Sequence, residues 1–174
     1  MEIITGYLNQ AKLSGTIKKI VGESWLGDEI RVPKSRGRWD MAFHRGSGTV
    51  VIEYDGPTHY QDPLKIGMDI KKDAIAHGLG YVLIRFPYWI QLDTVTLKHY
   101  FQLDAKIKTD FPHGFITTKF FPASFCEMGV ERFSKELESL PRTVNTAVLN
   151  SLRDRARDRG IEFVMPRSLR YLIT

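Results

Sequence analysis

The chain has 174 residues, which is enough for one domain with a full hydrophobic core. Its 25 Lys and Arg residues exceed its 20 Asp and Glu residues, and the net charge of +5 mildly favours a polyanionic partner. The single cysteine excludes an internal disulfide and a multi-cysteine zinc site. No apolar run approaches the roughly 18 residues that a membrane span needs, so we expect no membrane partner and a cytoplasmic location.

The first part of the chain predicts an α/β pattern. Ile4–Val21 has helical spacing, Asp62 and Pro63 start a second helix that ends near Gly78, and Val95–Ile107 predicts a third. A glycine-rich turn joins two of the predicted strands, and the second helix is expected to cross over to a parallel strand. The fold class is therefore a mixed sheet, an antiparallel meander plus one parallel strand, flanked by helices. The predicted strands are Glu29–Val32, Trp39–His44, Val50–Asp55 and Tyr81–Phe86.

The residues after 108 predict a second part of the domain organisation. We expect residues 1–108 to form the core and residues 109–174 to form a C-terminal helical extension packed on it. Helices are predicted over Gly129–Leu140 and Thr143–Arg159, and a last short strand is predicted over Ile161–Met165. This extension is expected to supply nucleic-acid contacts or a dimer interface.

A cluster of acidic residues is predicted at the end of the third strand. Alternate residues of a strand face the same side, so Glu53 and Asp55 share a face, and Asp40 on the preceding strand can reach the same end of the sheet. Carboxylates are costly to bury unless a cation compensates them, and a divalent ion is a usual partner where they converge. Asp40, Glu53 and Asp55 are therefore predicted to bind Mg²⁺, for which Mn²⁺ can substitute.

Cationic residues around these carboxylates suit phosphate chemistry. His59 follows a Gly-Pro turn and is placed to be a general base or to contact a phosphate. Lys72 on the helix and Arg85 on the next strand can neutralise negative charge that develops at phosphorus. Three basic residues that immediately precede Asp40 are expected to contact the phosphates of a nucleic acid, as is Arg85. They are Lys34, Arg36 and Arg38.

Structural roles for the same residues remain open at this point. Glu53 can form a buried ion pair with Arg85, and Asp69 is expected to orient His59 rather than to bind metal. Three further structural roles are an Asp40 pair with Arg36 or Arg38, a turn-capping Asp55 and a solvated Lys72.

The order and spacing of these residues resemble one branch of a known superfamily. Asp40, Glu53-x-Asp55-Gly56-x-x-His59, Asp69-x-x-Lys72, Gly80 and Arg85 are similar to the very-short-patch-repair-endonuclease-like branch of the PD-(D/E)xK nucleases, across residues 39–86. The resemblance implies a restriction-endonuclease-like core and metal-dependent hydrolysis of DNA phosphodiester bonds by a restriction, homing or phage-type nuclease. It makes Asp40 and Asp55 metal ligands, Glu53 a ligand or a supporting group, and His59 the base or phosphate contact.

The chain departs from the superfamily pattern in two places. Asp55 occupies the position of the usual lysine, a replacement that is common in this branch. The cysteines that hold structural zinc in the repair enzyme are missing, so mismatch repair is not implied. A further acidic ligand, which related homing enzymes take from an N-terminal helix, would have to be Glu2 or Glu23.

Two other functions are compatible with the same residues. Asp55–Tyr60 followed by Phe86–Trp89 is also similar to the RAP domain, which implies an RNA-binding or RNA-cleaving module. A third hypothesis is a nuclease fold that binds nucleic acid without cutting it. If the chain cuts both strands of DNA with one small site, a homodimer is expected.

Overall fold

The computed structural model describes residues 2–5, 8–109 and 113–174. The strands are β1 (Glu2–Thr5), β2 (Trp25–Arg31), β3 (Arg38–Arg45), β4 (Gly48–Asp55), β5 (Val82–Pro87) and β6 (Lys106–Thr109). The helices are α1 (Gln10–Val21), α2 (Thr58–Gln61), α3 (Pro63–Gly78), α4 (Thr94–Phe101), α5 (Glu127–Ser139), α6 (Arg142–Arg159) and α7 (Ile161–Val164). Single 3-10 turns or short 3-10 helices cover Gly22–Ser24, Pro122–Ser124 and Arg167–Leu172.

The main sheet has four strands in the order β2-β3-β4-β5. β2, β3 and β4 are antiparallel neighbours, and β5 joins β4 in parallel after the crossover through α3. The α/β class and the mixed sheet flanked by helices are thus confirmed. β1 and β6 form a separate parallel pair. The parallel register places Glu53 beside Arg85 and Asp55 beside Pro87, so the carboxyl ends of β4 and β5 lie together.

Local sequence explains where the central elements begin. Gly46 has a φ of 59°, which lets the chain turn tightly between β3 and β4. The carboxylate of Asp62 accepts the N–H of Leu64 at 2.9 Å, and Pro63 takes the first helical position of α3. As a result, α3 starts immediately after α2 and runs back along the sheet.

Several boundaries differ from the sequence prediction, and β2 begins at Trp25 rather than at Glu29. The first helix begins at Gln10 rather than Ile4, because Asn9 caps it by accepting the N–H of Lys12. The helix predicted as Val95–Ile107 ends at Phe101, because Gln102 adopts a left-handed conformation with a φ of 54°. The predicted strand Ile161–Met165 is wrong, because Gly160, with a φ of 97°, turns the chain into the single helical turn α7.

One large hydrophobic cluster includes residues from both sides of position 108. Phe43, Ile52 and Phe86 of the sheet share it with Phe133 of α5 and Val148 of α6. A smaller cluster lies on the other face of the sheet beneath α3 and contains Val32, Trp39, Ala42, Val51 and Ala76. The boundary near residue 108 itself stays a prediction. Across the described residues, none of the helices has both the length and the apolar character that a membrane crossing would need.

Candidate functional site

The predicted residues converge where β4 ends. Oδ2 of Asp40 on β3 accepts the N–H of Tyr54 at 2.7 Å, which fixes Asp40 beside the last residues of β4. Glu53 and Asp55 flank Tyr54 and are 2% and 0% exposed. These carboxylates divide between two groups of contacts. We call Asp40, Glu53 and Lys72 the lysine cluster, and Asp55, His59, Asp69, Arg85 and Arg132 the arginine cluster.

The lysine cluster joins the sheet to α3. Nζ of Lys72 contacts Oε1 of Glu53 and also donates to the carbonyl oxygen of Arg38. The Lys72 side chain is 13% exposed, so it is not a solvated surface lysine. Oε1 of Glu53 is buried, and the ammonium group of Lys72 is its cationic partner.

The carboxylates of the lysine cluster are poorly compensated. Burial raises the pKa of Glu53 to about 7, although Lys72 and, more weakly, Arg85 act to lower it. Burial also raises the pKa of Asp40, and the hydrogen bond from Tyr54 offsets this in part. The described cations at this point therefore do not fully stabilise the two negative charges.

The arginine cluster is densely paired. Nη1 of Arg85 donates to Oδ1 of Asp55 at 2.7 Å, and Nη2 of Arg132 donates to Oδ2 of the same carboxylate. Nδ1 of His59 lies 2.6 Å from Oδ2 of Asp69 and 3.0 Å from Oδ1 of Asp55. Both oxygens of Asp55 thus have cationic partners. The expectation that Asp69 orients His59 agrees with this contact.

The pKa shifts of the arginine cluster have the opposite sign. Burial alone would raise the pKa of Asp55 and of Asp69, but the hydrogen bond to His59 and the nearby guanidinium groups outweigh it and lower both pKa values. Burial alone would lower the pKa of His59, but the hydrogen bonds to the two carboxylates outweigh it and raise that pKa. The raised pKa extends the positive charge of His59 to higher pH, and a charged imidazole suits contact with a phosphate better than proton abstraction.

The two clusters offer different metal sites. Ligand atoms of Asp55, His59 and Asp69 all lie within 4.8 Å of one another. Among the described residues, this is the group of three acidic or histidine side chains that is close enough to hold one metal ion. The predicted set Asp40, Glu53 and Asp55 is not such a group. However, a cation at Asp55 would have to displace or face two guanidinium groups, whereas the lysine cluster has excess negative charge.

The basic residues divide between the same two places. The turn 33–38 is closed by the N–H of Val32, which donates to the carbonyl of Gly37 at 3.0 Å, and Lys72 bonds the carbonyl of Arg38. This turn, which we call the basic turn, therefore lies against the lysine cluster. Its cationic members are Lys34, Arg36 and Arg38.

Arg85, which was also predicted to bind nucleic acid, is instead bonded inside the arginine cluster. Besides Asp55, its guanidinium donates from Nη2 to Oδ1 of Asp73 at 2.6 Å and from Nε to the same oxygen at 3.0 Å. Although Glu53 is its neighbour in the register, the ion pair of Glu53 is made with Lys72. The role of Arg85 toward a nucleic acid stays a prediction.

The sequence analysis did not identify two residues that act on these clusters. Arg132 lies on α5, and no spacing motif links it to β4. Glu29 lies on β2, where its negative charge helps to raise the pKa of Asp40, and it adopts a φ of 55°. The alternation of polar and apolar residues along a strand does not show where a non-glycine residue adopts a positive φ. Glu2 and Glu23 were the two candidates for a further acidic metal ligand. Glu23 is exposed, and the side chain of Glu2 lies outside the described residues.

Comparison with known proteins adds no relative to this picture. The chain matches no protein-family model, no curated protein and no solved structure. The resemblance to the nuclease branch therefore rests on the residues named above and on the arrangement that they adopt.

Proposed function

We propose that this chain is a divalent-metal-dependent endonuclease that hydrolyses phosphodiester bonds of DNA. The observation that carries the proposal is the lysine cluster, in which two undercompensated carboxylates and a lysine meet at the end of a mixed sheet beside the basic turn. A restriction-endonuclease-like identity of the core, a cytoplasmic location and a homodimer belong to the same proposal.

The lysine cluster fits a magnesium ion. Mg²⁺ commonly binds through one or two protein carboxylates, with water and substrate phosphates filling its other positions. Asp40 and Glu53 supply two carboxylates, and Lys72 is the cation that the structure places against Glu53. A bound Mg²⁺ or Mn²⁺ would polarise the phosphate and generate the attacking water. Asp55 is predicted as a further ligand, but its paired oxygens make Asp40 and Glu53 the stronger basis.

The chain's own cations have complementary roles in this proposal. Lys72 holds Glu53 and is close enough to the carboxylates to stabilise negative charge on a phosphate bound there. His59 contacts a phosphate oxygen, and its imidazole is held by Asp55 and Asp69. The basic turn places Arg36 and its neighbours along the same edge, where they neutralise adjacent phosphates.

A cleavage assay with matched variants tests the proposal. The wild-type chain, Asp40→Asn, Glu53→Gln and Lys72→Met are incubated with plasmid DNA and with structured RNA, in Mg²⁺, Mn²⁺ or EDTA. We expect metal-dependent DNA cleavage that each of the three substitutions lowers by at least about 100-fold. Glu131→Gln is the control, because Glu131 is an exposed residue of α5 that pairs with Lys135. Cleavage by Glu53→Gln at the wild-type rate overturns the proposal.

The same assay separates the other two functions. Metal-dependent cleavage of RNA without cleavage of DNA supports the RAP-like module. Binding of DNA or RNA without cleavage in either metal supports the fold that only binds. Binding without cleavage has a specific structural basis, because Asp55 and His59 are already engaged in internal pairs.

A further inference from the structure

Helix α5 brings a residue of the C-terminal segment into the arginine cluster. The Arg132 side chain is 14% exposed and donates to Oδ2 of Asp55. Its Nη1 donates to Oδ2 of Asp69 at 3.1 Å and to the carbonyl oxygen of His59 at 3.3 Å. Nε donates to Oε1 of Glu136 at 2.9 Å, one turn further along α5. One guanidinium therefore binds the backbone of His59 and both of its carboxylate partners.

The position of Arg132 is fixed by close packing of α5 on α2. The N–H of Cys126 donates to the carbonyl oxygen of Tyr60 at 3.0 Å, immediately before α5 begins. A Cβ added to Gly129 would overlap that same carbonyl group, so a glycine is needed for the helix to approach this closely. The hydroxyl of Tyr60 donates to Oε2 of Glu136 at 2.6 Å. Gly129, Arg132 and Glu136 lie on one face of the helix, and this face meets the site.

Arg132 and Arg85 act on Asp55 from opposite parts of the chain. Arg85 belongs to β5 and approaches Oδ1, whereas Arg132 approaches Oδ2. Arg85 can hold Asp55 without the C-terminal segment, and the Oδ1 that it binds lies 3.0 Å from Nδ1 of His59. The carbonyl of His59 and the oxygen of Asp69 that binds its ring are both contacts of Arg132. The backbone of His59 and the Asp69 contact of its ring thus depend on a docked α5, whereas the Asp55 contact of the ring is also supported by Arg85.

We propose that Arg132 is a positioning residue for His59, so that the site takes its working geometry only when α5 is docked on α2. This inference rests on the proposed function for its kinetic consequence, because a correctly placed imidazole is needed at the phosphate. Its structural consequence does not depend on that function. The C-terminal segment is accordingly a part of the site.

The test uses the whole chain with Arg132→Met and Arg132→Lys, and with Arg157→Met as control. Arg157 is an exposed residue of α6 whose guanidinium pairs with Asp154. Lysine keeps the charge but cannot donate to Asp55, Asp69 and Glu136 together. Histidine labelled with ¹⁵N reports the His59 imidazole directly by NMR, circular dichroism reports folding, and cleavage assays give kcat and KM.

We expect both Arg132 variants to shift the His59 imidazole resonances and to lower kcat by about 10-fold to 100-fold with KM within about twofold. Arg157→Met is expected to change neither. If Arg132→Met does not fold, Arg132→Lys carries the test. Unchanged His59 resonances and unchanged kcat in a folded Arg132 variant overturn the inference. If the wild-type chain cleaves nothing, the proposed function fails, while shifted His59 resonances still support the positioning role.

Discussion

The lysine cluster and the arginine cluster lie at the same end of one strand but differ in how their charges are balanced. Glu53 and Asp55 are two residues apart on β4, and both are buried. The pKa of Glu53 is raised to about 7, whereas the pKa of Asp55 is lowered. Burial acts on both in the same direction, so the difference comes from their partners. Lys72 faces Glu53, while two arginines and His59 face Asp55.

The difference in charge balance distinguishes a structural carboxylate from a metal-binding one, which the sequence motif alone does not do. A carboxylate whose charges are matched inside the protein holds structure and orients its neighbours. A carboxylate that lacks a full complement of cations is the one that gains from an added metal ion. The first description fits Asp55, and the second fits Glu53 together with Asp40.

Removal of a cation should have its largest effect on stability in the arginine cluster. Arg85→Met leaves Asp55 and Asp69 buried with fewer partners, and we expect a loss of about 3–5 kcal/mol in the free energy of unfolding at pH 7. Lys72→Met should cost less than half of that, because Glu53 can take up a proton near neutral pH. Urea denaturation in EDTA measures both. Equal losses of the free energy of unfolding in the two variants would show that the charges of the two clusters are balanced alike.

The pH dependence of stability should differ in sign between the clusters. In the unfolded chain Glu53 ionises near its ordinary pKa of 4.5, but in the folded chain only near 7, so wild-type stability falls as the pH rises through this window. Glu53→Gln removes that loss, and we expect it to be more stable than wild type at pH 8 by up to about 3 kcal/mol. The gain should vanish below pH 4.5. Urea denaturation in EDTA across this range measures it.

Asp69→Asn is the matched control for that experiment. The pKa of Asp69 is lowered from 3.8, so its charge contributes stability above this pH, and the contribution disappears as the pH falls through the folded value. The variant should therefore be less stable than wild type at neutral pH, with recovery confined to pH below 3.8. If the difference in the free energy of unfolding between Glu53→Gln and wild type does not change with pH, the raised pKa of Glu53 is contradicted.

The sequence predicted the main sheet because its signals are local. The apolar run of β4, the glycine turn at Gly46 and the Asp62-Pro63 helix start each act within a few residues. The elements that were wrong depend on conformations that composition does not specify. Gln102 and Gly160 adopt positive φ values, and these shortened one predicted helix and replaced a predicted strand with a helical turn.

The composition of the site could be predicted in part, but its division into two clusters could not. Asp40, Glu53, Asp55 and His59 lie within 20 residues; the pleat places the three carboxylates at one end of the sheet, and His59 follows on α2. Their partners depend on packing between distant segments. Arg132 is 77 residues from Asp55 and reaches it because Gly129 allows α5 to approach α2. Arg85 was the ion-pair partner that the sequence suggested for Glu53, whereas packing of α3 on the sheet pairs Glu53 with Lys72.

Magnesium should stabilise the folded chain through the lysine cluster. At a concentration tenfold above its Kd, Mg²⁺ is expected to add about 1.4 kcal/mol to the free energy of unfolding and so to raise Tm. Thermal melts with and without Mg²⁺ should show this rise in wild type and in Asp69→Asn, but not in Asp40→Asn. The reverse pattern, a rise in Asp40→Asn and none in Asp69→Asn, would place the ion among Asp55, His59 and Asp69 instead.

The smallest effect is expected from a single residue of the basic turn. Arg36→Gln should weaken DNA binding about twofold to fivefold and lower the slope of log K against log salt by about 1, because one phosphate contact is lost. Fluorescence anisotropy with a labelled duplex in EDTA, over a series of KCl concentrations, measures both. Arg157→Gln on α6 removes the same charge far from the turn in sequence and should leave the slope unchanged. If the two variants behave alike, DNA does not run along the basic turn. The proposed metal site would then be separated from its proposed substrate, since Lys72 ties that turn to Glu53.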